Sequence, residues 1–187
     1  MPFAYWTHDL SPFLLRFGEN FGIRWYGLAY LAGFVGAGWL LRRYFQAGRS
    51  TLDLTAIFDL MTGLVAGVIV GGRLGYFLFY QPASLFRDPL ILLRVWEGGM
   101  SFHGGFLGVV IAMLWFARSR RQDWLQITDF IAPLVPLGLA AGRMGNFINA
   151  ELWGRPTDLP WAMVFPNVDR IARHPSQLYE FVLEGLL

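Results

Sequence analysis

The sequence predicts an all-α, polytopic membrane helix bundle with a small extracytoplasmic cap. Three observations predict it. Of 187 residues, 55% are hydrophobic and 17% aromatic while only 15% are charged, against about a quarter charged in soluble domains. An interior of this size cannot hide that apolar excess, and the mean hydropathy is +0.43. The apolar residues are also gathered into stretches near the roughly 20 residues that a helix needs to cross a bilayer. The same composition excludes a disordered chain. A net charge of +2 with scattered basic residues excludes a nucleic-acid partner.

Four complete spans and the start of a fifth are expected, at about 21–41, 54–80, 99–117, 127–148 and 178–187. The first carries Arg24 near its start, where a long side chain can reach the headgroups, and ends at Arg42-Arg43. The second holds Asp59 near one end and Arg73 near the other. The third has no formal charge but contains His103, and it stops at Arg118. The fourth again holds an aspartate and an arginine, Asp129 and Arg143. The fifth begins at Leu178 and reaches Leu187, too short to cross, so the sequence is expected to stop inside an element. Ser11-Pro12 and Asp88-Pro89 each join an N-cap residue type to proline at the first helical position. They predict two short interfacial helices, over Phe13-Leu14-Leu15 and Leu90-Ile91-Leu92-Leu93. Residues 149–177 hold four prolines, Trp153, Trp161 and mixed charge, and form the expected cap.

Arginine density in short links gives the orientation. The links 42–53 and 118–126 hold three arginines each, whereas 81–98 holds Arg87 and Arg94 only. The first two are therefore cytoplasmic, and the N-terminus, 81–98 and the segment after Asn149 lie outside. The first residues lack the basic start and apolar run of a secretory signal peptide, so the first span is expected to act as an uncleaved signal.

A displacement of 70 residues lays the second span on the fourth. Asp59 falls on Asp129, and Gly72-Arg73-Leu74-Gly75-Tyr76-Phe77 falls on Gly142-Arg143-Met144-Gly145-Asn146-Phe147. This reads as a duplicated helix pair, with both copies running outward. A charged side chain at a bilayer centre costs about 2.5–3.5 kcal/mol on insertion scales, so each arginine needs a task. It either pairs with a carboxylate such as Asp59, Asp129 or Glu151, or binds an anion beside glycines that leave room. Asn146, Asn149 and Glu151 crowd polar groups after Arg143 and favour the second task there, while Arg73 stays open between the two.

His103 is the side chain of the third span that can exchange a proton near neutral pH; its plainer reading is an interhelical hydrogen-bonding group. His103, Arg143 and Asn146 all fall at the outer side. A proton acceptor and an anion clamp at headgroup depth point to chemistry on a phospholipid. His8, near the chain start, and His174, before Pro175, carry less information. Two rival readings are a transporter whose polar path is lined by Asp59, Asp129, Arg73 and Arg143, and a non-catalytic lipid-binding scaffold, which gives His103 no task. There is no cysteine, which excludes thiolate metal sites and a thiol nucleophile belonging to the chain. No metal is expected, since His103 has no histidine partner at ligand spacing.

The run Gly142-Arg143-Met144-Gly145-Asn146-Phe147-Ile148-Asn149-Ala150-Glu151-Leu152-Trp153-Gly154-Arg155-Pro156-Thr157 resembles the signature of the bacterial prolipoprotein diacylglyceryl transferases. Arg24-Trp25-Tyr26-Gly27, Ser101-Phe102-His103-Gly104-Gly105 and Arg173-His174-Pro175-Ser176-Gln177-Leu178-Tyr179-Glu180 resemble it too, in the family's order. The resemblance implies a multi-pass protein of the bacterial cytoplasmic (inner) membrane, with its N-terminus outside and seven spans in the full family protein. It implies transfer of the diacylglyceryl group of phosphatidylglycerol to the thiol of the lipobox cysteine in a preprolipoprotein signal peptide, with release of glycerol 1-phosphate and no cofactor. His103 is then the expected base, and Arg143 the cation for the departing phosphate. Tyr26, Asn146 and Gly154 would shape or hydrogen-bond the headgroup site, and Glu151 would orient Arg143 or a neighbour. Arg73 would hold a second phosphate or a carboxylate. A further active-site arginine and a tyrosine in the family's last portion have no counterpart in these residues.

Overall fold

The computed structural model describes residues 4–18 and 22–187. Phe21, the expected start of the first span, lies outside them. Seven α-helices are described: α1 (Trp25–Gln46), α2 (Leu54–Phe79), α3 (Pro82–Arg87), α4 (Phe102–Ser119), α5 (Trp124–Ile131), α6 (Val135–Ile148) and α7 (Ser176–Gly185). Five short strands accompany them: β1 (Trp6–Thr7), β2 (Phe13–Arg16), β3 (Gly22–Arg24), β4 (Met163–Val164) and β5 (Ala172–Arg173). The long apolar stretches are helical, in agreement with the fold class that composition predicts. Three helical stretches are long and apolar enough to cross a membrane: α2, α4 and the run Trp124–Ile148. The 22-residue α1 is not among them, because its four glycines, interfacial aromatics and Arg42-Arg43 dilute its hydropathy.

Local chemistry sets the helix ends. The Asp53 carboxylate caps α2 by accepting from Ala56 N at 2.7 Å. The α4 helix begins at Phe102 rather than Gly99, since Gly98 and Gly99 have φ of +81° and +80° and Ser101 is the N-cap, its Oγ accepting from Gly104 N at 3.2 Å. Between α5 and α6 the chain tightens into a 3₁₀ turn over Ala132–Leu134. Pro133, inside that turn, and Pro136, just after it, lack an N–H to give.

One expected interfacial helix is a strand. Phe13-Leu14-Leu15 belongs to β2, which pairs antiparallel with β3. The Arg24 guanidinium lies 4.6 Å from the centre of the Phe13 ring. A hairpin partner satisfies the backbone that a single isolated helical turn would leave mostly open, so pairing overrides the Ser-Pro start signal. The second expected segment is a 3₁₀ helix over Pro89–Leu93 without a side-chain cap, because the Asp88 carboxylate pairs with Arg94 instead.

The chain divides into two compact units, residues 40–133 and residues 1–39 with 134–187. In the 40–133 unit, α2 and α4 meet along glycines. A Cβ at Gly67 would fall 2.5 Å from the Gly108 carbonyl oxygen, one at Gly75 would fall 2.7 Å from Gly104 Cα, and one at Gly71 would collide with the Gly104 carbonyl. Gly67, Gly71 and Gly75 on one helix, and Gly104 and Gly108 on the other, repeat every fourth residue and let the backbones touch. Asp59 pairs with Arg120, tying α2 to the residue that follows α4. In the other unit α6 packs on α7, with Gly185 close against Ala140. A three-stranded sheet of order β1-β4-β5 lies in the same unit. His8, only 6% exposed, donates its Nε2 hydrogen to the Phe147 carbonyl at 2.7 Å and stacks on Phe165. It fixes the segment after β1 to the last turn of α6, a structural task that its place near the chain start did not disclose.

Candidate functional site

The expected site residues fall into both units. Arg143, Asn146, Glu151, Gly154 and Tyr26 belong to the unit of residues 1–39 and 134–187, and His103 and Arg73 to the unit of residues 40–133.

Arg143 projects from α6 toward α7, where Glu180 and Glu184 share a face because residues four apart on a helix are neighbours. Its Nε lies 2.8 Å from Glu180 Oε2 and 3.0 Å from Glu184 Oε2, and its Nη2 donates to Glu184 Oε1 at 3.4 Å. The carboxylates thus take the Nε edge of the guanidinium. Among the described residues Nη1 has no hydrogen-bond partner, so two N–H groups remain for a ligand. Sequence alone assigns Glu180 and Glu184 no role. The signal was present as an acidic i, i+4 pair in an otherwise apolar segment, where carboxylates need a cation.

Glu151 serves neighbours rather than Arg143. Its Oε2 accepts from Asn146 Nδ2 at 3.1 Å and its Oε1 from Asn149 Nδ2 at 3.3 Å. Its main-chain carbonyl accepts from the side chain of Gln177, which is fully buried. The Tyr26 phenol interacts with this group through Asn146 and Glu151. Its ring packs on Gly145, where a Cβ would lie 2.7 Å from the ring edge. Tyr26, Asn146 and Glu151 therefore form one polar cluster at the end of α6, and Gly145 is small so that the tyrosine can enter.

Gly154 lies apart from that cluster, against β5 and the start of α7. Its N–H donates to the His174 carbonyl at 2.9 Å, and a Cβ there would lie 2.8 Å from the His174 Cβ. Arg173, on the same strand, stacks over Trp153 at 4.4 Å and pairs with Asp169. Hydrogen bonding from this guanidinium holds the Asp169 carboxyl below its ordinary range.

His103 stands exposed in the first turn of α4. It touches the Phe102 ring edge-on and has no hydrogen-bond partner among the described residues, so both ring nitrogens are available. Arg73, 3% exposed, is engaged with main chain. Its Nε donates to Leu92 O at 3.3 Å, Nη1 to Gly98 O and to Gly99 O at 3.2 Å, and Nη2 to Ile91 O at 2.5 Å and Arg94 O at 2.6 Å. A guanidinium has five N–H donors, and five carbonyls receive them. No carboxylate takes any of these five donors. Arg73 instead gathers the loop that leads into Ser101 and His103.

The family model described as prolipoprotein diacylglyceryl transferase matches residues 12–187. Proteins named phosphatidylglycerol–prolipoprotein diacylglyceryl transferase are similar to the chain. The one from Cupriavidus pinatubonensis is 58% identical over 185 residues, covering 95% of this chain and 66% of the relative. The one from Nitrosomonas europaea is 59% identical, covering 96% and 64%, and that from Bordetella bronchiseptica 55%, covering 96% and 69%. The chain spans about two thirds of the length of the curated relatives it matches. With a family match that runs through α1, both arginine-bearing helices, His103 and the Glu180 pair to Arg143, the chain belongs to the prolipoprotein diacylglyceryl transferase family.

Proposed function

We propose that the protein moves the diacylglyceryl group of phosphatidylglycerol onto the lipobox cysteine of a preprolipoprotein, at the outer face of a bacterial cytoplasmic membrane. The cysteine sulfur forms a bond to the glyceryl carbon, the carbon–oxygen bond to phosphate breaks, and its electron pair leaves with glycerol 1-phosphate. The thiol must lose its proton for the sulfur to attack. His103 takes that proton, since its ring nitrogens are uncommitted and exposed. Charge grows on the departing phosphate, and Arg143 meets it with the Nη1 edge that Glu180 and Glu184 leave open. A cation already fixed where charge develops needs little reorganisation during the reaction. Tyr26, Asn146 and Glu151 shape the headgroup site. Gly154 contributes through the fold of the cap, and Arg73 through the loop before His103.

The observation that carries this reading is Arg143, buttressed along one edge and open along the other, in a chain of this family. The test incubates the full-length protein with phosphatidylglycerol vesicles and a lipobox peptide and follows the peptide by mass spectrometry. The peptide is expected to gain a diacylglyceryl group, and Arg143→Ala to slow the transfer by about 10²–10³, the usual loss when one donor to a developing anion is removed. Unchanged turnover in Arg143→Ala would remove the proposed clamp, and no mass gain with the wild type would remove the reaction.

A further inference from the structure

An open cleft of about 250 Å³ is lined by Arg155, His174, Ser176 and Tyr179. No carboxylate lines it. Four acidic side chains of the same unit are engaged elsewhere: Asp169 with Arg173, Glu180 and Glu184 with Arg143, and Glu151 with Asn146 and Asn149. The Arg155 guanidinium is exposed and has no ion-pair or hydrogen-bond partner among the described residues.

The histidine can add a second donor, and its neighbours are compatible with one on Nε2. Trp161 Nε1 donates to the Tyr179 hydroxyl at 2.7 Å, and that hydroxyl lies 3.1 Å from His174 Nδ1. An indole N–H can only donate, so the Tyr179 hydroxyl accepts from Trp161 and keeps a proton that it can give to His174 Nδ1. In that arrangement the neutral imidazole carries its own proton on Nε2, away from Tyr179. Ser176 supplies a hydroxyl, which has room because Gly154 beneath it has no Cβ. Ser176 also opens α7, whose N-cap Pro175 gives no side-chain cap, so the positive end of that helix dipole sits at the same wall.

We propose that this cleft is a phosphate-binding site, with Arg155 as the charged anchor and His174 and Ser176 as hydrogen-bond donors. Every free polar group assigned here can donate, and the unprotonated oxygens of a phosphate accept. The volume lies below the roughly 300–1,000 Å³ of pockets that take drug-sized ligands and suits one headgroup-sized anion rather than an acyl chain. The site differs from the Arg143 cluster in every residue, and the proposal does not depend on the transferase reading.

Calorimetric titration of inorganic phosphate into the full-length protein in dodecyl maltoside tests it without turnover. Saturable binding is expected, weakened at least tenfold by Arg155→Gln and at least threefold by His174→Gln. Arg170→Gln, at an exposed arginine of the same segment, should bind as the wild type does. Circular dichroism confirms that each variant is folded. Dihexanoylphosphatidylglycerol, added to the phosphate complex, identifies the source of the group. Displacement assigns the cleft to a lipid headgroup, and no displacement assigns it to a free phosphate, both consistent with the site. Absence of saturable phosphate binding by the wild type, or wild-type affinity in folded Arg155→Gln, overturns it.

Discussion

The two arginines of the repeat show how the same residue in matching sequence surroundings acquires different tasks. Gly72-Arg73-Leu74-Gly75 and Gly142-Arg143-Met144-Gly145 announce a charge that needs compensation, and nothing in either run says whether the partner is an ion, a ligand or the backbone. For Arg143 the partners come from α7, Glu180 and Glu184. For Arg73 they are carbonyls of residues 91, 92, 94, 98 and 99, and their convergence depends on a loop path that Gly98 and Gly99 make possible through positive φ. Such partners are illegible in sequence, because main-chain oxygens have no residue type. Lysine keeps the charge but has three donors and no planar fork. Arg73→Lys is therefore expected to raise amide hydrogen exchange across residues 88–99 by at least tenfold while exchange in the middle of α2 stays slow; equal protection of the loop in both proteins would refute the clamp.

At the level of elements, the apolar stretches were legible as helices, since length and hydropathy decide that. Their pairing was not. The fourfold spacing of Gly67, Gly71 and Gly75 marks a face for close approach, and only the structure shows Gly104 and Gly108 filling it. Gly75 and Gly145 occupy equivalent places in the repeat, yet one receives a helix backbone and the other the ring of Tyr26. Replacing Gly71 by isoleucine drives a branched side chain into the Gly104 carbonyl. Overpacking of this kind costs about 1–3 kcal/mol or more, so Gly71→Ile is expected to lower the Tm of the detergent-solubilised protein by several degrees. At Gly63 an added Cβ would meet only Ala112 Cβ, at 4.0 Å, and Gly63→Ala should melt no lower than the wild type, since alanine is the better helix former. The hairpin of β2 and β3 marks the limit of local signals: a Ser-Pro start was outweighed by a partner strand several residues later.

Across the whole molecule, the division at residues 39/40 and 133/134 separates the proton-accepting candidate from the anion-holding one, although a shared repeat relates their helices in sequence. That division has no compositional mark, since both boundaries fall in helical segments rather than in linkers. The proposed orientation can be measured cleanly because the chain has no cysteine of its own. Ala83→Cys, in α3, should react with a membrane-impermeant maleimide in intact spheroplasts, and Ala47→Cys, after α1, only once the membrane is opened. The reverse pattern would invert the topology. The double carboxylate at Arg143 gives the molecule an internal competitor. Any anion that comes to this guanidinium must share it with Glu180 and Glu184, and once that anion loosens the glutamates are still in place to reclaim it. In the proposed reaction the two glutamates would thus lower the affinity of the guanidinium for the departing phosphate and favour its release.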